Sequence, residues 1–395
     1  MPHNALPAPS PEAQEHSDRL AGLIRQQIRD SGGAIPFSRY MELALYAPGL
    51  GYYSAGARKF GANGDFITAP ELGPVFARCI ADAVAPALSD LGPDACLFEL
   101  GGGTGAFAQA ALLRLQELDA LPAKYWLLEP SADLRERQRE RLHGALPAEL
   151  FARCEWLDGP LETPWRGVLF ANEVLDALPT PRFVKHEGEI YEEHVVLDSN
   201  GGFLRVDQPA DAMLRAAVRH VERDIEAPLP EGYRSEILPQ LPYWIQAIGG
   251  LLTDGVMLFV DYGYVRSEFY RAERRDGTFL CHYRHRVHDD PFFLPGLQDL
   301  TASVDFTALA ESGVQAGFDF AGYCSQASFL IANGLQARLE EIATLDSEAG
   351  RYHAHQEVKT LTLPGGMGER FQVMGFQRGV DIRPRLAERS LAGRL

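Results

Sequence analysis

The stretch FELGGGTGAF, residues 98–107, sets four glycines between a strand-like run and a helix-like run. Glycine alone enters positive φ without a steric cost, and it lets backbone N–H groups approach a ligand at the start of a helix. The stretch therefore reads either as the binding turn of a β–turn–α unit or as a bare turn. Gly101, Gly103 and Ala106 satisfy G-x-G-x-x-A, while Gly101, Gly103 and Gly105 satisfy G-x-G-x-G. Both patterns rest on the same physics, so the glycines do not choose between the ligands that use them.

The flanking pattern widens the turn into a fold. CLFEL (96–100) reads as a strand and 106–119 as a helix; YWLLE (125–129) is a strand and 131–143 a charged helix. CEWLD (154–158), GVLFANE (167–173) and GVMLFVDYGY (255–264) are further strands, and FDFAGYCSQ and FQVMGFQRG are two that could finish the sheet. Short apolar strands separated by helices are the pattern of a parallel sheet covered on both faces, an α/β fold. Earlier in the chain, a helix is expected from near Ser17, with Leu20, Leu23, Ile24 and Ile28 at helical spacing, and another over 72–89. Residues 46–76, rich in Gly, Tyr and Phe, read as ordered loop. The expected organisation is a disordered tail (1–16), an N-terminal helical segment and cofactor lid (17–92), and the first part of the core (93–180). An inserted subdomain (181–252) contains a hairpin whose SNGG suits a tight turn. A core strand (253–264), a second insertion (265–305), the end of the core (306–380) and a C-terminal tail (381–395) complete it.

Composition removes whole classes of function. With 46% hydrophobic and 23% charged residues the chain reads as soluble and globular, and its 395 residues suffice for one large domain or two lobes. A formal charge of −17 argues against nucleic acid as a partner, because phosphate binding needs clustered Lys and Arg. It agrees with a cationic substrate, or with nothing more than a solvated acidic surface. Cys79, Cys96, Cys154, Cys281 and Cys324 form no C-x-x-C pair, so no zinc site or disulfide framework is indicated, and reduced thiols in the cytoplasm are expected. No run approaches the ~18 apolar residues of a membrane span. The start, MPHNALPAPSPEAQEH, has neither the apolar core of a signal peptide nor the Arg-rich face of a presequence.

Residues around the turn decide the ligand. Glu99, two positions before Gly101, would repel a pyrophosphate but attract the ammonium or sulfonium charge of S-adenosylmethionine. Glu129 ends the next strand, placed to accept both ribose hydroxyls. The third strand offers Trp156 and Leu157 as an adenine face, with Asp158 for the adenine amino group; Trp156 reads equally well as core. Asn172 and Glu173 end the fourth strand and reach the crevice at the carboxyl ends of the strands. S-adenosyl-L-methionine, leaving as S-adenosyl-L-homocysteine, is the expected cofactor.

ALYAPGLGYYS, KFGANGDFITAPELGPVF, FELGGGTGAF, YWLLEPSADLRERQ, FANEVLDALPTPRF, LFVDYGY, PGLQDLTASVDFTAL and MGERFQVM occur in this order. In this the chain resembles the MidA-like class I methyltransferases, relatives of the mitochondrial complex I assembly factor that acts as a protein arginine methyltransferase. The match spans roughly residues 35–376. The resemblance implies a Rossmann-like class I methyltransferase core with a mostly parallel seven-stranded sheet, a lid and an inserted α+β substrate subdomain. It implies a protein acceptor, arginine favoured, among respiratory-complex subunits. Carried over by position, Gly101, Gly103 and Gly105 match the cofactor loop and Glu129 the ribose acid. Asn172, Glu173 and Asp176 match NE-x-x-D-x-x-P, and Gly64, Asp65, Phe66 and Thr68 match GDFIT, expected to fold over the cofactor. The chain departs from its relatives at Gly102 and Thr104, where they more often carry proline and arginine.

Glu173 and Asp176, three apart at the expected start of a helix, would share one face and act as the catalytic pair: Glu173 orienting the acceptor, Asp176 supporting it or merely capping the helix. Tyr52, Tyr53, Phe60 and Phe66 form either a water-excluding lid or an anchor for a long loop. Asp261 and Tyr262 line the acceptor pocket or pack the core. His282, His285 and His288 invite a metal reading, but Arg is interleaved and methyl transfer needs no metal; a partner-contacting surface is preferred, and no metal is expected. The rival functions are a cofactor-binding assembly factor without turnover, a small-molecule methyltransferase and an NAD-dependent dehydrogenase. The acceptor's identity and the oligomeric state are not legible.

Overall fold

Seven of the eight strands of the central sheet, among the described residues, pair edge to edge along one path in the computed structural model, which describes residues 6–55, 68–387 and 389–395. They are β1 (Cys96–Leu100), β2 (Tyr125–Leu128), β3 (Cys154–Leu157), β4 (Trp165–Asn172), β5 (Leu252–Tyr264), β6 (Asp319–Ser325) and β7 (Phe371–Arg378). Along the sheet's main path the order is 6-7-5-4-1-2-3. Strands β5, β4, β1, β2 and β3 pair in parallel, whereas β7 runs antiparallel to both of its neighbours. The order reverses at β1, next to β4, and open α/β sheets bind ligands at that switch point. Strand β1 is buried throughout, which is why CLFEL carries no alternation.

The chain divides into two units. One comprises Ile67–Val174, Leu241–Gly263 and Phe306–Leu395 and holds the central sheet. Its core gathers Phe76, Ile80 and Val84 from the helix Val75–Leu91, Phe107 and Leu112 from the helix Ala106–Glu117, and sheet residues such as Val168 and Leu258. The expected helix 72–89 is two pieces, Ala69–Leu72 and Val75–Leu91, because Gly73 and Pro74 interrupt it. The Glu357 carboxylate accepts the Val75 amide at 2.7 Å, supplying the cap that Pro74 does not. Three helices between β6 and β7 (Gln326–Ala332, Leu335–Ala343, Glu348–Thr362) were not resolved by the sequence pattern.

The other unit comprises Met1–Phe66, Leu175–Gln240 and Tyr264–Asp305. Its first helix starts at Pro11, not near Ser17. Ser10 accepts the Ala13 amide and Pro11 occupies the first turn, so part of the stretch read as a disordered tail is helical. The expected hairpin is a three-stranded meander, Arg182–His186, Glu189–Leu197 and Phe203–Pro209, with a first turn at Glu187–Gly188, both at positive φ. Residues 280–301 add a small antiparallel sheet. Among the described residues no helix is long and apolar enough to cross a membrane.

Candidate active site

The turn after β1 has the backbone its glycines require. Gly101, Gly103 and Gly105 sit at φ 65°, 53° and 82°, and Gly105 precedes the helix Ala106–Glu117 without a side-chain cap on the helix amides. A methyl group at Gly101 would lie 2.9 Å from Val174 Cγ2, so that position accepts no larger residue unchanged. Its far end is clamped. The Thr104 hydroxyl donates to Glu71 and accepts from Arg141 Nη1 at 2.7 Å.

Two acids lie beside the turn. Glu129, at the end of β2, is buried and accepts the Ser131 amide at 3.0 Å and the Gln138 side chain at 3.3 Å. Burial pushes its pKa up to about 7, with the Ser131 amide, Gln138, the Gly103 amide and the Arg135 charge pulling the other way. Glu99 does not stand free toward a ligand as the sequence suggested. It is buried and accepts the Tyr125 hydroxyl at 2.7 Å. Burial, opposed by that hydroxyl and reinforced by Glu129, raises its pKa to about 8, which favours its protonated form.

Trp156 and Leu157 lie on β3 as expected. The Trp156 indole donates to Gln138 Oε1 at 2.8 Å, and the Arg139 guanidinium sits 4.9 Å over its ring. Asp158 accepts from Arg135 at 2.6 Å. Gln138 itself escaped the sequence reading, since it lies in the charged run LRERQRERL and is nonetheless fully buried. The available signal was its spacing, four residues from each of Leu134 and Leu142, the other two buried residues of the helix Ala132–Ala145.

At the end of β4, Asn172 Nδ2 donates to Glu173 Oε1 at 3.1 Å, while its buried Oδ1 has no hydrogen-bond partner among the described residues. Glu173 adopts φ 53°, and its amide donates to the Val260 carbonyl at 2.9 Å. A non-glycine residue held left-handed at a strand end marks a position where the surroundings overrule local preference. The expected helix after Glu173 does not form: residues 173–180 contain no helix. Asp176 therefore shares no helical face with Glu173. It belongs to the other unit, where it is buried, its carbonyl accepts the Ala302 amide at 2.9 Å, and its charge acts on the Tyr53 hydroxyl.

Gly64, Asp65, Phe66 and Phe60 lie outside the described residues. Thr68 is extended and precedes the helix Ala69–Leu72 without a side-chain cap bond. Tyr52 and Tyr53 fit the anchor reading: Tyr52 is buried in its unit's core, and the Tyr53 hydroxyl donates to Asp299 while its ring stacks on Tyr46. Asp261 is buried and accepts the Tyr262 amide, and the Tyr262 ring packs edge-on against Phe371. His282, His285 and His288 fall on a hairpin, with Arg284 and His285 at positive φ in its turn, so they do not line up as on a helix. Among the described residues no group of three or more His, Cys, Asp or Glu is placed to hold a metal ion. All five cysteines are buried and free of disulfides.

A cradle of backbone amides, an acid at the end of β2, an indole on β3 and the orphaned Asn172 oxygen together fit S-adenosyl-L-methionine. The comparisons agree. Residues 79–324 match the family described as "Putative S-adenosyl-L-methionine-dependent methyltransferase". A Burkholderia thailandensis structure bound to S-adenosyl-homocysteine superposes with a TM-score of 0.91 at 41% identity, covering 99% of this chain and 100% of that one. "Protein arginine methyltransferase NDUFAF7, mitochondrial" of Danio rerio is 30% identical, covering 86% of this chain and 82% of that protein. The Drosophila melanogaster homolog is 28% identical over 95% of this chain and 89% of its own. Their mitochondrial names overturn the cytoplasmic expectation, which rested on free thiols that suit any reducing compartment. The sheet order, the glycine turn and these matches converge: the chain belongs to the MidA-like family and is an S-adenosyl-L-methionine-dependent methyltransferase.

Proposed function

We propose that this enzyme methylates an arginine side chain of a protein, with Glu173 orienting the acceptor and Glu129 holding the donor's ribose. Glu173 carries the reading: a half-buried carboxylate fixed at the end of β4 by a left-handed backbone and by Asn172. The names of the relatives support arginine as the acceptor. A subunit of a respiratory complex as the acceptor protein rests on the family resemblance.

The bound donor supplies a methyl carbon made electrophilic by a sulfonium. What the protein must add is orientation and a usable nucleophile. A guanidinium stays protonated, with pKa above ~12, and its lone pairs are delocalised. The Glu173 carboxylate accepts hydrogen bonds from one edge of it and draws the positive charge to that side. The opposite nitrogen then regains lone-pair density for attack; as its new N–C bond forms the methyl's bond to sulfur breaks, leaving the electron pair on sulfur, and the nitrogen loses one proton to solvent.

The test is incubation of the enzyme and isotope-labelled donor with extract from cells lacking this protein, followed by mass spectrometry of the labelled material. Label is expected on arginine within one or a few proteins. Label on a small molecule, or on another side chain, would replace the arginine assignment.

A further inference from the structure

Gln138 is fully buried, and its amide is completely used. Nε2 lies 2.9 Å from the Gly103 carbonyl and 3.3 Å from Glu129 Oε2, and Oε1 lies 2.8 Å from the Trp156 indole nitrogen. Its orientation follows from chemistry. An indole N–H only donates, so the amide oxygen must face Trp156, and both amide hydrogens are left for two acceptors. The glycine turn lies directly on this side chain: a methyl group at Gly102 would sit 3.2 Å from Nε2, and one at Gly105 3.4 Å from Gln138 Cα. One residue on a helix thus touches the turn, the acid and the indole, which come from three separate segments.

We propose that Gln138 is the positioning residue of the cofactor site, its single amide fixing the Gly103 carbonyl, the Glu129 carboxylate and the Trp156 ring in one register for the nucleoside. The inference rests on the reading of Glu129 as the sugar-binding acid. A buried glutamine with all its groups satisfied resists rotation, because any turn of the amide sets donor against donor at Trp156. The donation to Glu129 also favours its ionised form, the form that accepts sugar hydroxyls. Other groups act on that carboxylate: Arg135 from the same helix, Glu99 from β1, and the amides of Ser131 and Gly103.

The test is calorimetric titration of S-adenosyl-L-homocysteine, from pH 6 to pH 9, into wild type, Gln138→Met, Gln138→Glu and Glu129→Gln. Wild-type affinity is expected to weaken about tenfold from pH 8 to pH 6, as Glu129 takes up its proton. Gln138→Met should bind roughly tenfold more weakly at pH 8, since a hydrogen bond to a charged group is lost, and the midpoint of the pH profile should move upward. Gln138→Glu keeps the acceptor for Trp156 but turns a carboxyl toward Glu129, so its midpoint should move further in the same direction. Melting curves of the unliganded variants establish folding; if the Met variant does not fold, the Glu variant carries the test. An unchanged midpoint in the folded variants overturns the role given to Gln138. Wild-type affinity in Glu129→Gln would instead remove the sugar reading, an outcome distinct from a weak Glu129→Gln beside a normal Gln138→Met.

Discussion

Replacing Glu173 by glutamine is expected to lower kcat on the protein acceptor by on the order of 10²–10³-fold, the usual loss when one preorganised electrostatic group is removed. The substitution is nearly isosteric. The amide oxygen can still accept from Asn172 Nδ2, and the backbone bond from residue 173 to the Val260 carbonyl involves no side chain. Affinity for S-adenosyl-L-homocysteine should therefore stay within about twofold of wild type, because the cofactor contacts assigned to the turn and to Glu129 are untouched. What disappears is the charge that polarises the guanidinium. A neutral amide accepts one hydrogen bond but does not localise a positive charge at the far side of the acceptor. Single-turnover kinetics with saturating donor, alongside calorimetry, make the comparison. Retained turnover would remove Glu173 from the mechanism, whereas a parallel loss of cofactor affinity would make it a cofactor ligand.

Arg182→Met should destabilise its unit by about 3–5 kcal/mol, the cost of leaving buried charges without their partner. The Arg182 side chain is only 2% exposed and lies against the buried carboxylates of Glu193 and Glu236, 3.5 Å and 3.0 Å away. Its Nη2 also donates to the carbonyl and the carboxylate of Asp276, at 3.0 Å and 2.9 Å, and the guanidinium packs over the rings of Phe37 and Phe279. Met preserves much of the apolar stem and the ring contacts while removing the charge. Glu193 keeps Arg234 at 2.7 Å, and Glu236 keeps the Thr278 amide at 2.7 Å. The loss should fall most heavily on Glu236, and adding Glu236→Gln to Arg182→Met should recover part of it. Urea denaturation followed by circular dichroism measures both. A loss below about 1 kcal/mol in the single variant would mean that the cluster contributes no more than a surface ion pair does.

Local patterns made the sheet and the glycine turn readable in the sequence. Strands such as CLFEL and GVMLFVDYGY are apolar because both faces are covered, and glycine is the residue that enters φ 53–82° freely. Contacts between distant segments were not readable. Arg182 meets partners 54 and 94 residues away in the chain, and no local pattern encodes that. Gln138 looks like one more polar residue in a solvated helix until the strands beneath it are placed. The helix expected at Glu173 failed because Pro179 and Pro181 follow closely, so no helix has room to propagate before its register is broken. The helix at Pro11 was hidden by a composition that resembles a tail, although Ser10 and Pro11 carry the start signal.

Where the donor's sugar lies decides the roles of Glu129, Gln138 and Glu173, and a crystal structure of this protein soaked with S-adenosyl-L-homocysteine measures that directly. The expected result is density along the Gly101–Gly105 turn, with both ribose hydroxyls within hydrogen-bond distance of Glu129. A ligand bound elsewhere, or one whose ribose turns away from Glu129, would contradict the site and with it the roles given to Gln138 and Glu173.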